Sequence, residues 1–392
     1  MAQLLPEKLK KAKRKPKPTV FDCSTCELDK TCHSPKMLPY GEGELGIAIV
    51  VEAPSQDEEE ENLPLAGKAK QFIEKHFKEF DIDLDKDCIT LNVVQCRPPK
   101  DRDPKKTEIK ACWDRVDQQI KEFKPDIIFC FGNDAIARIL FDSPGTTKVT
   151  ATHGRVVPSD YWNAWVVCSY PPSYFFKGRN NGGLSKLVIK AIKDGLDKWK
   201  EGYKSQKLDE NSYNLLTDLG EICEYLDVLR HYKLDIAFDY ETNCLSPFDK
   251  NSKILLAGFA VDNKSGVCFA LEHPEATWTK EELETIYNRL RMWLVSDCSK
   301  IIQNWAFEQL WSKVKLGTTI QNVVCDTMVR EHVIDNRNGI CSQDFQTYVR
   351  YGSNYKNDVE QEKLEQTPLN KVARYCVNDC KYLWKWYLDQ NC

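Results

Sequence analysis

Residues 233–242 read KLDIAFDYET, an apolar strand core that runs into two acids. Successive strand residues point to opposite faces, so Asp239 and Glu241, two apart, project from the same one. Two carboxylates side by side repel each other, and a divalent cation between them relieves the repulsion. After short, turn-rich connections come ILLAGFAVD (254–262) and GVCFALE (266–272), which predicts an antiparallel meander of three strands. Helical periodicity follows, from TKEELETIYNRLRMWLV (279–295) to PLNKVARYCVNDCKYLWKWYL (368–388), so this half is a mixed α/β domain with its own core.

Upstream the grammar differs. Four apolar runs, IAIVVEA (47–53), ITLNVV (89–94), DIIFCFG (126–132) and AWVVCSY (164–170), alternate with amphipathic stretches such as AKQFIEKHFKEF (69–80), EIKACWDRVDQQIKEF (108–123) and LSKLVIKAIKDGLDKW (184–199). That alternation predicts a parallel sheet with helices on both faces and ligands at the carboxyl ends of its strands. The polar, aperiodic stretch around 204–212 separates the halves, so the fold class is α/β in two domains, 21–203 and 213–392.

Composition narrows the setting. With 392 residues, 42% of them hydrophobic, the chain builds real cores, and no run of about 18 apolar residues exists to span a membrane. Seventeen cysteines, an odd number, suit a reducing compartment, where thiols are buried or bind metal; the cytoplasm is the expected location, a host's if the chain is viral. Net charge is −4, yet residues 1–18 carry seven Lys or Arg against Glu7 alone. A basic, Pro-containing tail over 1–20 suits a disordered arm that meets phosphate, and equally a solubilising one. The acidic run DEEEE (57–61) is expected in a solvated loop.

Two further segments extend the acidic pair. IIQNWAFEQLW (301–311) supplies Asn304 and Glu308, and RYCVNDC (374–380) places Tyr375 and Asp379 one helical turn apart. The order D-x-E, N-x-x-F-E, Y-x-x-x-D resembles the three motifs of the DnaQ-like exonucleases, in the tyrosine subtype of family A DNA polymerases. CDTM (325–328) is similar to the D-T-M segment of the same domains. The resemblance implies a ribonuclease H-like fold and a 3′-5′ exonuclease in which Asp239, Glu241, Glu308 and Asp379 hold two Mg²⁺ or Mn²⁺ ions. One ion activates a water, the other stabilises the leaving oxygen, and the Tyr375 hydroxyl orients the water. Glu308 departs from the family's usual Asp, and the extra methylene implies a slower enzyme. Asn304 is expected to contact DNA.

In the first half, FDCSTCELDKTC (21–32) holds Cys23 and Cys26 two apart, and NVVQCRPPKDRDPKKTEIKAC (92–112) adds Cys96 and Cys112. C-x-x-C, then C-R-P-P, then a cysteine on the next helix is similar to the iron–sulfur signature of family 4 uracil-DNA glycosylases. EAPSQDEEEENLPLAGKA (52–69) resembles that family's first motif, and Asn92 falls where its uracil-reading asparagine lies. The resemblance implies a structural 4Fe-4S cluster on Cys23, Cys26, Cys96 and Cys112. A zinc site from Cys23, Cys26, Cys32 and His33 is the alternative.

The glycosylase pattern is damaged. Flipping and excising uracil needs an aromatic stack, an amide to read the edge, and a group to stabilise the departing anion. Leu65 replaces the stacking phenylalanine, and Val51 and Ser55 replace glycines that admit the base. Pro171, Pro172, Ser173 and Tyr174 occupy the H-P-S-Y motif, so its anion-stabilising histidine is gone. Glu52 and Asn92 remain, and uracil excision is expected to be lost. Arg97 and Lys177, near aromatic residues, are expected to bind DNA.

Together the two resemblances imply a replication-associated exonuclease like the leading part of certain bacteriophage family A polymerases, acting on single-stranded 3′ ends and primer-template DNA. The expected partner is a separate DNA polymerase polypeptide. Two other functions fit the same residues: a repair enzyme that excises uracil and trims DNA, and a non-enzymatic DNA-binding or polymerase-scaffolding protein.

Overall fold

The computed structural model describes residues 23, 25–141, 148–176, 182–231 and 233–390. The basic tail and Lys177 lie outside them. The chain divides into two compact units, Met1–Gln206 with Tyr348–Gly352, and Lys207–Thr347 with Ser353–Cys392.

The first unit is built on β1 (Ile47–Val51), β2 (Cys88–Asn92), β3 (Ile127–Phe131), β4 (Val156–Ser159) and β5 (Ala164–Ser169). Their order is β2-β1-β3-β5-β4. β1, β2, β3 and β5 run parallel, and every residue in these four strands is buried. Burial on both faces is why they read as unbroken apolar runs rather than alternating ones. Ile47, Ile49 and Val51 pack with Ile73 and Phe77 of the helix Gly67–Lys78 and with Val188, Ile192 and Leu196 of the helix Gly182–Glu201. The expected parallel sheet needs one addition, since β4 is an antiparallel edge strand. Its sequence, VVPS, carries a proline, which an edge strand tolerates and a short-run reading passes over.

The second unit contains β6 (Asn214–Leu216), β7 (Ile236–Thr242), β8 (Ile254–Ala260), β9 (Val267–Ala270), β10 (Lys300–Ile302) and β11 (Val323–Asp326), in the order β11-β10-β7-β8-β9-β6. β7, β8 and β9 form the expected antiparallel meander. β10 and β11 add on parallel to β7, and β6 pairs parallel with β9. Within the stretch 204–212, two backbone carbonyls are tied down: Asn378 Nδ2 donates to the Glu210 carbonyl at 3.0 Å and Lys381 Nζ to the Ser212 carbonyl at 2.9 Å.

The helix Leu369–Asp389 lies directly on β8. A Cβ on Gly258 would stand 2.5 Å from Cys376 Sγ and 3.3 Å from the Cys376 carbonyl oxygen, so only glycine permits this approach. Gly258 is the register partner of Asp239 on β7. The missing side chain therefore sets the distance between the strand that carries two of the acids and the helix that carries Asp379 and Tyr375.

Candidate active sites

β7 presents Asp239 and Glu241, the long helix presents Asp379, and their ligand oxygens lie within 4.8 Å of one another. Glu308 is buried beside Asp239 on the helix Trp305–Trp311 but stands outside this tight triplet. That helix begins at Asn304 in left-handed conformation, φ +58°. The Asn304 and Trp305 N–H groups both donate to the Asp326 carboxylate, at 3.2 and 2.9 Å, while Asp326 also caps the helix Thr327–Ile334. The aspartate of CDTM thus pins the turn from which Glu308 projects.

Four acids crowd one site, and their proton affinities record it. Burial, and then Asp379, push Asp239 up to about 8. Burial and the neighbouring Asp239 lift both Glu241 and Glu308 well above the carboxylate range. Glu241 Oε1 and Glu308 Oε2 are buried with no hydrogen-bond partner. Orphaned acceptors within a like-charge cluster are the donor set that divalent cations need, so the residues fit such ions.

The positive charge the site does contain comes from a residue the sequence reading missed. Lys356 Nζ donates to Asp379 Oδ2 at 2.9 Å and to the Tyr375 hydroxyl at 3.3 Å, and lies 3.4 Å from Asp344 Oδ1. Burial works against its charge, but Asp379, Tyr375 and Asp344 hold the ammonium firmly protonated. The Tyr355 hydroxyl donates to Asp379 Oδ1. The Tyr375 hydroxyl also accepts from Gln361 Nε2 at 3.0 Å. Tyr355 and Lys356 sit in a short 3-10 turn with neither periodicity nor motif, so no sequence signal points to them.

In the first unit, Val51 pairs with Asn92 on one side and Phe131 on the other, which brings Glu52, Asn92 and Gly132 to one sheet edge. The chain passes from β1 to β2 on one side and then crosses to β3 on the other, so this is the switch point where α/β sheets bind ligands. Burial, then Asp134, push Glu52 up to about 7, and the Asp134 N–H donates to Glu52 Oε1 at 3.3 Å. Asn92 Nδ2 donates to the Pro64 carbonyl at 3.5 Å, and its Oδ1 is buried without a partner. Leu65, the next residue after Pro64, is buried. At the end of β5 the Tyr170 ring lies 6.2 Å from Tyr174 and 5.0 Å from His153. Pro171 accepts from the Tyr174 N–H at 3.0 Å, and Ser173 opens the short helix Ser173–Phe176.

The acidic run is not a solvated loop. Ser55 caps the helix Gln56–Glu61, and Glu58 reaches back to the Ser55 N–H at 2.6 Å. Glu59 accepts from the His33 N–H at 2.6 Å and from Arg97 Nη1 at 2.9 Å. Arg97 also pairs with Asp101 at 2.7 Å, so two carboxylates hold its guanidinium.

Glu59 and Arg97 thereby tie the segment after Cys32 to the loop after Cys96, and the thiols converge in between. Burial raises the Cys26 thiol, with Cys112 and Cys23 adding to it. Burial pushes Cys96 up to about 12, with Cys32 and Cys112 beside it. The Lys36 N–H points at Cys96 Sγ from 3.3 Å and Arg115 Nη2 at Cys112 Sγ from 3.8 Å. Converging thiols with N–H donors aimed at sulfur fit an iron–sulfur cluster. Cys32 joins this group as a fifth thiol, and His33 contributes its backbone N–H to Glu59.

Residues 38–194 match the uracil DNA glycosylase superfamily, and residues 213–389 match the 3′-5′ exonuclease family of A-type DNA polymerases. The type-4 uracil-DNA glycosylase of Archaeoglobus fulgidus is 31% identical over 159 residues, 39% of this chain and 78% of that protein. A DNA polymerase of Bacillus phage SP01 is 25% identical over 322 residues, 77% of this chain and 34% of that protein. Among solved structures, Brucella melitensis NrnC with bound Mg²⁺ aligns with a TM-score of 0.33 at 14% identity, covering 46% of this chain and 78% of that one.

Proposed function

We propose that this chain, which belongs to the uracil-DNA glycosylase superfamily through its first half and carries a 3′-5′ exonuclease domain in its second, is a metal-dependent exodeoxyribonuclease of DNA replication. The observation that carries this reading is the triplet of Asp239, Glu241 and Asp379 with ligand oxygens within 4.8 Å, beside Glu308. These four acids would hold two Mg²⁺ or Mn²⁺ ions, which supply an acidified water and neutralise charge on the leaving oxygen. Tyr375, whose hydroxyl accepts from Gln361 and which lies one helical turn from Asp379, would orient that water. Asn304, in its pinned turn, is the residue assigned to the DNA strand.

The glycosylase half acts in this reading as a DNA-holding domain without uracil excision. Leu65 offers no ring to stack on, and Pro171 has no side chain that could stabilise a departing anion. Cys23, Cys26, Cys96 and Cys112 would hold a 4Fe-4S cluster, which in this place ties loops together. The match to a phage DNA polymerase supports action alongside a polymerase, which in this reading is a separate polypeptide.

A 3′-mismatched primer annealed to template, incubated with Mg²⁺ and the protein, is expected to shorten from its 3′ end. Asp379→Ala is expected to lower the rate by at least ~10²-fold, since a carboxylate that would hold the divalent ion at the reacting phosphate is lost. An unchanged primer at micromolar protein would sink the exonuclease reading. One observation favours a second reading, uracil repair: Asn92 keeps an unpartnered buried acceptor, and burial poises Glu52 at about 7. Alkali-labile breaks at uracil in a treated strand would replace the first reading with that one.

A further inference from the structure

The nuclease centre holds three to four carboxylates and, among the described residues around them, Lys356 as the cation bonded directly to a predicted ligand. Both oxygens of Asp379 are engaged, Oδ1 by the Tyr355 hydroxyl and Oδ2 by Lys356 Nζ at 2.9 Å. A divalent ion that takes Asp379 must therefore contend with an ammonium already bonded to it. The same ammonium lies against Tyr375 and Asp344, and its side chain is only 13% exposed, so it is held in the site rather than swinging in from solvent.

We propose that Lys356 is a built-in competitor for the divalent cation: it holds Asp379 and Tyr375 in place while the site lacks metal, and lowers the affinity with which metal binds. The idea rests on the exonuclease reading of these acids. Physically, one positive charge shared among the carboxylates offsets their mutual repulsion, and any second cation then meets both a repelling neighbour and a weaker field. Lys356 is thus a positioning residue, acting through Asp379.

The sign of the effect separates competition from scaffolding. A lysine that merely supported the fold would, when removed, loosen the site and weaken metal binding. A competitor, when removed, strengthens it. Metal-free wild type, Lys356→Met and Lys356→Arg would be titrated with Mn²⁺, reading free ion by electron paramagnetic resonance. Lys356→Met is expected to bind Mn²⁺ about tenfold more tightly or better, the scale of one close charge pair. Lys356→Arg, which keeps the charge, is expected to stay with the wild type. Equal or weaker binding by folded Lys356→Met overturns the proposal and leaves the nuclease reading standing, whereas no Mn²⁺ binding by any of the three proteins overturns both.

Should Lys356→Met fail to fold, the wild type decides. In lysine ¹⁵Nζ spectra a slowly exchanging ammonium signal is expected without metal, and saturating Mg²⁺ should release it to fast exchange. A signal indifferent to Mg²⁺ overturns the proposal.

Discussion

Asp239 occupies a position where folding and catalysis ask for opposite things. Its carboxyl is pushed up to about 8, first by burial and then by Asp379. In the unfolded chain it titrates near the ordinary value of about 4, so between about pH 4 and 8 the folded, metal-free chain binds more protons than the unfolded one. Stability contributed this way is complete at low pH and is lost as pH rises through about 8. In chelator, the melting temperature of the nuclease unit is expected to fall from pH 5 to pH 8, by roughly 2–4 °C for each kcal/mol lost in a domain of this size. Excess Mn²⁺ should flatten the slope, because an ion replaces the protons. A melting temperature that stays level or rises with pH in chelator would contradict this account.

At the scale of elements, the site is a strand and a helix brought together by an absence. β7 and the helix Leu369–Asp389 approach closely because Gly258, opposite Asp239, has no side chain to meet Cys376. Gly258→Ala inserts a methyl group 2.5 Å from Cys376 Sγ, so strand and helix must separate. The change should cost about 1–3 kcal/mol of stability through overpacking. Misplacement of Asp379 by about 1 Å should cost on the order of 10²-fold in rate. Chemical denaturation and primer digestion check the two effects, and a full rate in a destabilised variant would show that the spacing does not matter.

Much of this is legible in the residues. D-x-E on a strand fixes a shared face through period two, and Tyr375 with Asp379 share a helical face, so spacing alone assigns three of the four acids to their faces. The strands of the first unit can be read because burial on both faces leaves unbroken apolar runs. Lys356 and Tyr355 are not legible, since a 3-10 turn has no pattern and their meaning arises only from packing against Asp379. Glu58 and Glu59 are misread for a related reason: composition registers charge, whereas a capping box and an ion pair with Arg97 depend on geometry.

On the scale of the whole molecule, each unit has its own core and its own candidate site. The segment from Cys23 to Lys36 has few apolar anchors, Leu28 among them, and is held largely by Glu59 and the converging thiols. With the proposed cluster in place, removing its iron should therefore loosen that segment first. Limited trypsin digestion of purified protein, with and without iron, is expected to show new early cuts at Lys30 or Lys36 only in the iron-free sample. An identical cutting pattern in both samples would speak against a cluster that ties the segment down.

The placement of the acids and of Lys356 has a kinetic consequence. Asp239 and Glu241 lie on β7, which is paired on both sides by β8 and β10, whereas Lys356 lies in a four-residue turn. Amides of a doubly paired strand exchange with solvent only when much of a domain opens, while a single turn opens at small cost and often. The strand that carries Asp239 and Glu241 is thus expected to open more slowly than the turn that carries Lys356, a difference that hydrogen exchange of their amides would read.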